Sequence, residues 1–151
     1  MEVFRLVRQK YSYELSGAGS AMNGARWNSK GVEMIYTSIN RSLAMAEVLV
    51  HFTAATLPDD FVIMTINIPD EIDKQVFNTV NLPDNWNRFP LNPETQLIGD
   101  KFISENKYCL LKVPSVVVKG EFNILINPKH KDFKKIQITN TEKFQFDNRL
   151  F

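Results

Sequence analysis

The apolar residues of this chain fall into short runs of strand length, and that pattern restricts the fold more than any single motif. Residues 2–7, Met34–Ser38, Phe61–Ile68, Tyr108–Val113, Val116–Lys119 and Phe122–Ile126 read as strands, and Lys135–Ile138 and Lys143–Phe146 as the last two. Only two segments carry clear helical signals. In residues 41–56, Leu43, Ala46, Val50 and Ala54 follow the helical period with Leu49 and Phe52 beside them; Asn40 or Ser38 can cap the start, and Pro58 lies past the end. Asn92-Pro93-Glu94 sets a cap residue, a first-turn proline and an acid at the positive dipole end, predicting a helix to about Glu105. Residues 71–80 read as a further strand or short helix and residues 81–93 as an ordered loop. Strands outnumber helices without regular βαβ alternation, which points to an α+β fold in one domain, residues 1–151.

Charge and residue counts narrow the function. Lys and Arg total 18 against 17 for Asp and Glu, a net charge of +1, and the six arginines are scattered. A protein that grips nucleic acid by its phosphates carries a basic patch, so direct nucleic-acid binding is not expected. Cys109, the only cysteine, excludes an internal disulfide and a multi-cysteine zinc site; within Tyr-Cys-Leu-Leu-Lys-Val it reads as a buried core residue. His51 and His130 are the only histidines and no HExxH spacing exists, so no metal is expected. No stretch approaches the roughly 20 apolar residues of a membrane span, and the first residues lack a signal-peptide layout. The expectation is a soluble cytoplasmic protein.

Three places can carry chemistry. Glu47 lies between Leu43 and Val50 on the helix, on or beside its core-facing stripe, where a carboxylate is costly unless paired, hydrogen-bonded or facing a cleft. His51, one turn later, makes either a Glu–His pair at the core edge or part of a catalytic pocket. Residues 16–31 hold four of the six glycines and read as a long shaped loop ending in Gly24-Ala25-Arg26-Trp27-Asn28. Arg26 is either a phosphate ligand or a surface arginine beside a core tryptophan. Gly17-Ala18-Gly19-Ser20 does not complete a dinucleotide fingerprint, because residue 22 is Met. Ser115 interrupts the apolar run at Pro114 and reads as a turn or strand-edge serine, with Asn123, Asn127 and His130 forming a polar cluster nearby.

Taken in order, these motifs resemble the RES domain, named for arginine, glutamate and serine. The matching pieces are Phe4-Arg5, Gly24–Asn28 with Arg26, Met34–Ser38, Ala44–His51 with Glu47, Leu97–Asp100, Val113–Val118 with Ser115, and Glu121–His130, spanning roughly residues 3 to 138. Ile124 stands where the family often has tyrosine. The resemblance implies an ADP-ribosyltransferase-like fold with a split, mostly antiparallel sheet around an NAD⁺ cleft. It also implies a toxin held by a helix-turn-helix antitoxin of the Xre type that blocks the cleft, in a toxin–antitoxin assembly or a homodimer. NAD⁺ is then a consumed substrate rather than a cofactor, with water, inorganic phosphate or a protein side chain as acceptor.

On that reading Glu47, Arg26 and Ser115 are the catalytic candidates. Breaking the nicotinamide–ribose bond builds positive charge on the ribose, which Glu47 can stabilise. Arg26 and Arg5 suit the pyrophosphate; Tyr36 can stack on nicotinamide or bond a ribose hydroxyl; Asn28, His51 and Asn123 complete the substrate-binding set. An endoribonuclease using His51 and Glu47, and a binding module without turnover, are the rival readings.

Overall fold

In the computed structural model, which describes all 151 residues, the chain runs β1 (Glu2–Arg8), α1 (Ala18–Asn23), β2 (Ile35–Ser38), α2 (Arg41–Leu49), β3 (Phe61–Asn67), β4 (Lys74–Val76), α3 (Pro93–Glu105), β5 (Leu110–Pro114), β6 (Phe122–Ile126) and β7 (Gln137–Lys143). The strands form one sheet in the order β4-β5-β6-β2-β1-β3-β7. Every neighbouring pair is antiparallel except β4–β5. The fold is therefore α+β and mostly antiparallel, as the run pattern and the resemblance imply. No helix is long and apolar enough to cross a membrane.

The sheet is nearly divided at its centre. β1 pairs with β3 along all seven residues, from Glu2↔Asn67 to Arg8↔Phe61, but with β2 only at Phe4↔Ser38. Two half-sheets, β4-β5-β6-β2 and β1-β3-β7, thus meet at a single residue pair. Because side chains alternate along a strand, each half has a distinct second face. Val3, Ile35, Met64, Ile66, Leu110, Ile124 and Ile126 build one core continuous across both halves. The opposite face carries two separate clusters. Trp27, Met34, Phe102, Ile103, Leu111, Val113 and Leu125 pack beneath α3, while Leu6, Ala44, Phe61 and Ile63 pack beneath α2.

Local chemistry accounts for the helix ends. Asn40, not Ser38, caps α2: its side chain accepts from the Leu43 N–H at 2.7 Å. Asn92 caps α3 through the Glu94 N–H at 2.9 Å, with Pro93 in the first turn, as predicted. α2 stops at Leu49 instead of reaching residue 56. Thr53 and Thr56 form a turn of their own, in which the Thr53 N–H donates to Thr56 Oγ1 at 2.8 Å and the Thr56 N–H to the Thr53 carbonyl at 3.1 Å. Threonine side chains that bond nearby backbone compete with helix in this way.

Other expectations need correction. Val116–Lys119 is a turn rather than a strand: Ser115 Oγ accepts from the Val117 and Val118 N–H groups, each at 3.0 Å. Residues 16–31 contain the short helix α1 within the loop. A single strand, Gln137–Lys143, replaces the two final ones, since the whole segment pairs along β3. Residues 71–80 hold the short strand β4 followed by a 3₁₀ turn at 79–81. Cys109 is buried, as read from its neighbours.

Candidate active site

The site lies on the divided face, where strand alternation changes from apolar to polar. Leu111 and Val113 lead to Ser115, Leu125 leads to Asn123, and Met34 and Tyr36 lead to Ser38. Ser38 and Asn123 are direct cross-strand partners, and Asn123 is opposite Val113. Three polar side chains are thereby brought to one edge of the apolar cluster. α2 lies over that edge and contributes Glu47.

Glu47 is the centre of this arrangement. Its Oε1 accepts from Ser115 Oγ at 2.7 Å and from Asn123 Nδ2 at 2.7 Å. Asn123 Oδ1 in turn accepts from Ser38 Oγ at 2.8 Å. Both donors converge on the same carboxylate oxygen, while Oε2 bonds no group of the chain. Charge-assisted bonds of this kind hold a carboxylate's orientation firmly. Ser115 is fully engaged: its oxygen accepts from two backbone N–H groups, and its hydroxyl donates to Glu47. Its hydroxyl thus helps to hold the Glu47 carboxylate in place.

Arg26 enters from the loop that follows α1. Its Nη1 donates to the carbonyls of Trp86 and Arg88 at 2.8 and 3.1 Å, leaving the Nε–Nη2 edge without a protein acceptor. That edge is the one suited to two parallel bonds with a phosphate. Burial lowers the guanidinium's pKa from its ordinary value, opposed by the negative charge of Glu47. The acid and the arginine are thus electrostatic neighbours.

α3 holds the Arg26 loop in place. Thr95 Oγ1 donates to the Arg26 carbonyl at 2.7 Å, and Gln96 Nε2 to the carbonyls of Ala25 and Asn28 at 3.0 and 3.2 Å. Asp100 Oδ1 accepts from the Ser29 N–H at 2.9 Å. Gly99 permits this approach, since a Cβ there would lie 1.5 Å from the Trp27 carbonyl oxygen. Glycine is the residue for such close backbone contact. Gly24 is needed nearby for a different reason, its φ of +71°.

The remaining expected residues divide. Tyr36 joins the Arg26 loop: its hydroxyl accepts from the Trp27 N–H at 3.1 Å and donates to Asn28 Oδ1. Burial pushes the phenol well above its ordinary pKa, so it stays protonated as a donor. Its hydroxyl is thus already engaged, and its half-buried ring is the part left to meet a ligand. Arg5 donates from Nη1 to the Tyr36 carbonyl at 2.9 Å, spanning the region where β1 and β2 separate. Burial lowers its pKa, and it forms no ion pair with a carboxylate, so most of its donors are left for an anion.

Two expectations are corrected. Asn28 is fully buried at 0% exposure and cannot touch a ligand; its Nδ2 closes the loop onto the Ser20 and Val32 carbonyls at 3.0 and 2.9 Å. His51 is exposed in the turn after α2, because the helix ends before it, and does not pair with Glu47. The sequence reading also passed over Ser38 as a site residue, considering it only as a cap. Its spacing of two from Tyr36 in a strand was the available signal, since both side chains share a face.

Comparison with known proteins agrees with this architecture. The chain is 36% identical over 152 residues to the "Prs ADP-ribosylating toxin" of Sphingobium sp. (strain YBL2), covering 97% of this chain and 94% of that protein. It is 36% identical to a "Toxin Res" of Photorhabdus laumondii, covering 99% and 97%, and 34% identical to one of Yersinia enterocolitica, covering 99% of both. A chain in the crystal structure of the M. tuberculosis MbcT–MbcA toxin–antitoxin complex shares the fold, with a TM-score of 0.76 over 95% of this chain and 84% of that one at 17% identity. Residues 2–147 match the RES domain, and with these full-length relatives the chain belongs to the RES-domain family.

Proposed function

We propose that this protein is the toxin of a toxin–antitoxin pair and consumes NAD⁺ by breaking the nicotinamide–ribose bond. The observation that carries the reading is the carboxylate of Glu47, fixed through Oε1 by Ser115 and Asn123 with Oε2 unoccupied, beside the electrostatically coupled Arg26. The printed names of the relatives support it: one is an ADP-ribosylating toxin, others are Res toxins.

In this mechanism the bond from ribose C1 to the pyridinium nitrogen breaks, and both its electrons go to nicotinamide, which leaves neutral. Positive charge develops on C1 and the ring oxygen. Oε2 of Glu47 faces that charge or the ribose hydroxyls, and its fixed orientation means no reorganisation as the charge forms. Arg26, through its Nε–Nη2 edge, and Arg5 hold the pyrophosphate; the Tyr36 ring packs against nicotinamide. An acceptor oxygen then bonds C1. Water loses a proton and gives ADP-ribose; inorganic phosphate gives ADP-ribose 1-phosphate. No resident cofactor takes part. The partner is an Xre-type antitoxin that covers the cleft, and the cytoplasmic NAD⁺ pool is the target.

Mass spectrometry of NAD⁺ incubated with the protein, with and without inorganic phosphate, tests the reading. Nicotinamide release is expected, and Glu47→Gln abolishes it while the fold remains. Turnover by Glu47→Gln close to that of the wild type removes Glu47 from the chemistry. A second acceptor, a protein side chain, is favoured by the Sphingobium relative's description. Label from radioactive NAD⁺ would then enter protein. An endoribonuclease is disfavoured by the exposed, unpaired placement of His51 and the net charge of +1.

A further inference from the structure

Ser38 lies two hydrogen bonds behind Glu47, with Asn123 between them, and at the single pair that joins the two half-sheets, opposite both Phe4 and Asn123. It is 5% exposed, and its hydroxyl donates to Asn123 Oδ1 at 2.8 Å. The direction of this bond follows from Glu47. A carboxylate only accepts, so Asn123 must turn its NH₂ toward Oε1. The reversed amide would set Oδ1 against the carboxylate at the same distance. With the amide so turned, Oδ1 faces Ser38, and Ser38 must supply the proton.

From this we infer that Ser38 is a positioning residue for Glu47, acting through the side-chain amide of Asn123. Without the Ser38 hydroxyl, Asn123 Oδ1 has no donor, and the amide, still turned with its NH₂ toward Oε1, is held at one end only. Glu47 then keeps Ser115, but its second donor can swing about its single remaining bond, and Oε2 is aimed less well at the substrate. Ser115 cannot compensate, since its proton is already committed to Oε1. The inference rests on the proposed role of Glu47 for its kinetic consequence, but the orientation of Asn123 is independent of that role.

The test uses the full chain with Ser38→Ala, Ser38→Thr, Asn123→Ala and the Ser38→Ala/Asn123→Ala double variant. Steady-state NAD⁺ consumption gives kcat and KM, and ¹⁵N NMR follows the Asn123 side-chain NH₂. Ser38→Ala is expected to lower kcat about tenfold, the effect of one misaligned hydrogen bond, with KM within about twofold. Ser38→Thr keeps the hydroxyl and restores most of the rate. Adding Ser38→Ala to Asn123→Ala should change kcat less than about twofold, because the route through Asn123 is already gone. The Asn123 NH₂ signals should shift and exchange faster with water in Ser38→Ala alone. Wild-type kcat in Ser38→Ala, or its full loss multiplied onto that of Asn123→Ala, overturns the inference. If the wild-type protein leaves NAD⁺ intact, the proposed function fails instead. The NMR arm then decides: an unmoved Asn123 signal in Ser38→Ala overturns the positioning role, and a moved one upholds it.

Discussion

Adding one methyl group at Gly99 should disturb both stability and the placement of Arg26. In Gly99→Ala the new Cβ would stand 1.5 Å from the Trp27 carbonyl oxygen, 2.6 Å from its carbon and 3.1 Å from Met34 Cε. Ordinary contact begins near 3.4 Å, so helix and loop must separate by about 2 Å. The obstructing atoms are backbone and cannot rotate aside as a side chain would. Alanine brings about 1 kcal/mol of helix propensity. Against it stands overpacking of typically ~1–3 kcal/mol or more, together with weakened bonds from Thr95, Gln96 and Asp100 to the loop, at roughly 1 kcal/mol each. A net loss of about 3–5 kcal/mol lowers Tm by roughly 6–20 °C in a domain of this size. Arg26 lies one residue from the displaced carbonyl, and a 1 Å misplacement of a positioning group can cost about a hundredfold in rate. Thermal unfolding and kcat/KM for NAD⁺ consumption should therefore fall together. Gly19→Ala serves as the control, because nothing lies within 4 Å of its added Cβ. A Gly99→Ala protein with wild-type Tm and turnover would refute the claim that this contact sets the Arg26 loop.

Three further outcomes follow from the geometry. Ser115→Ala should lower kcat about tenfold through the lost bond to Glu47, whereas a loss of about 10⁴-fold or more would mark Ser115 as the nucleophile after all. Arg26→Lys keeps the charge but not the two-donor edge, so KM for NAD⁺ should rise roughly tenfold; an unchanged KM removes Arg26 from pyrophosphate binding. Burial pushes the Cys109 thiol up from 9.0 to about 12. Above pH 9 the unfolded chain loses a proton that the folded chain keeps, so this contribution to stability is full below pH 9 and declines as pH rises toward 12. Urea unfolding across that window should show a decline that is shallower in Cys109→Ala, the buried Tyr36 phenol contributing part of what remains, and rapid alkylation of the folded protein at pH 8 would contradict it.

Much of the site was legible because it is encoded locally. Glu47 could be singled out as a carboxylate on an apolar stripe, Arg26 as a cation after a glycine-rich loop, and Ser115 as a polar break in an apolar run, but each also had an ordinary structural reading, and only the family resemblance joined them. The errors arose where neighbouring side chains redirected the backbone or occupied each other's bonds. The period in residues 41–56 continues past Leu49, but the Thr53–Thr56 turn ends the helix and leaves His51 exposed and unpaired with Glu47. Asn28 looked like a ligand donor beside Arg26, yet the Ser20 and Val32 carbonyls and the Tyr36 hydroxyl take its amide completely.

Sequence alone determined the strand-rich α+β class and the cap of α3, narrowed the cap of α2 to two residues, and singled out the acid, the arginine and the serine as candidates. These depend on alternation, helical period and capping, which act over a few residues. Only the tertiary structure decided that the sheet divides at Phe4↔Ser38, that Ser38 supports Asn123, and that Gly99 admits the Trp27 carbonyl. Each of those joins residues 34 to 85 positions apart in the chain. Such contacts exist only once the strands have chosen their partners, and no short-range pattern records that choice.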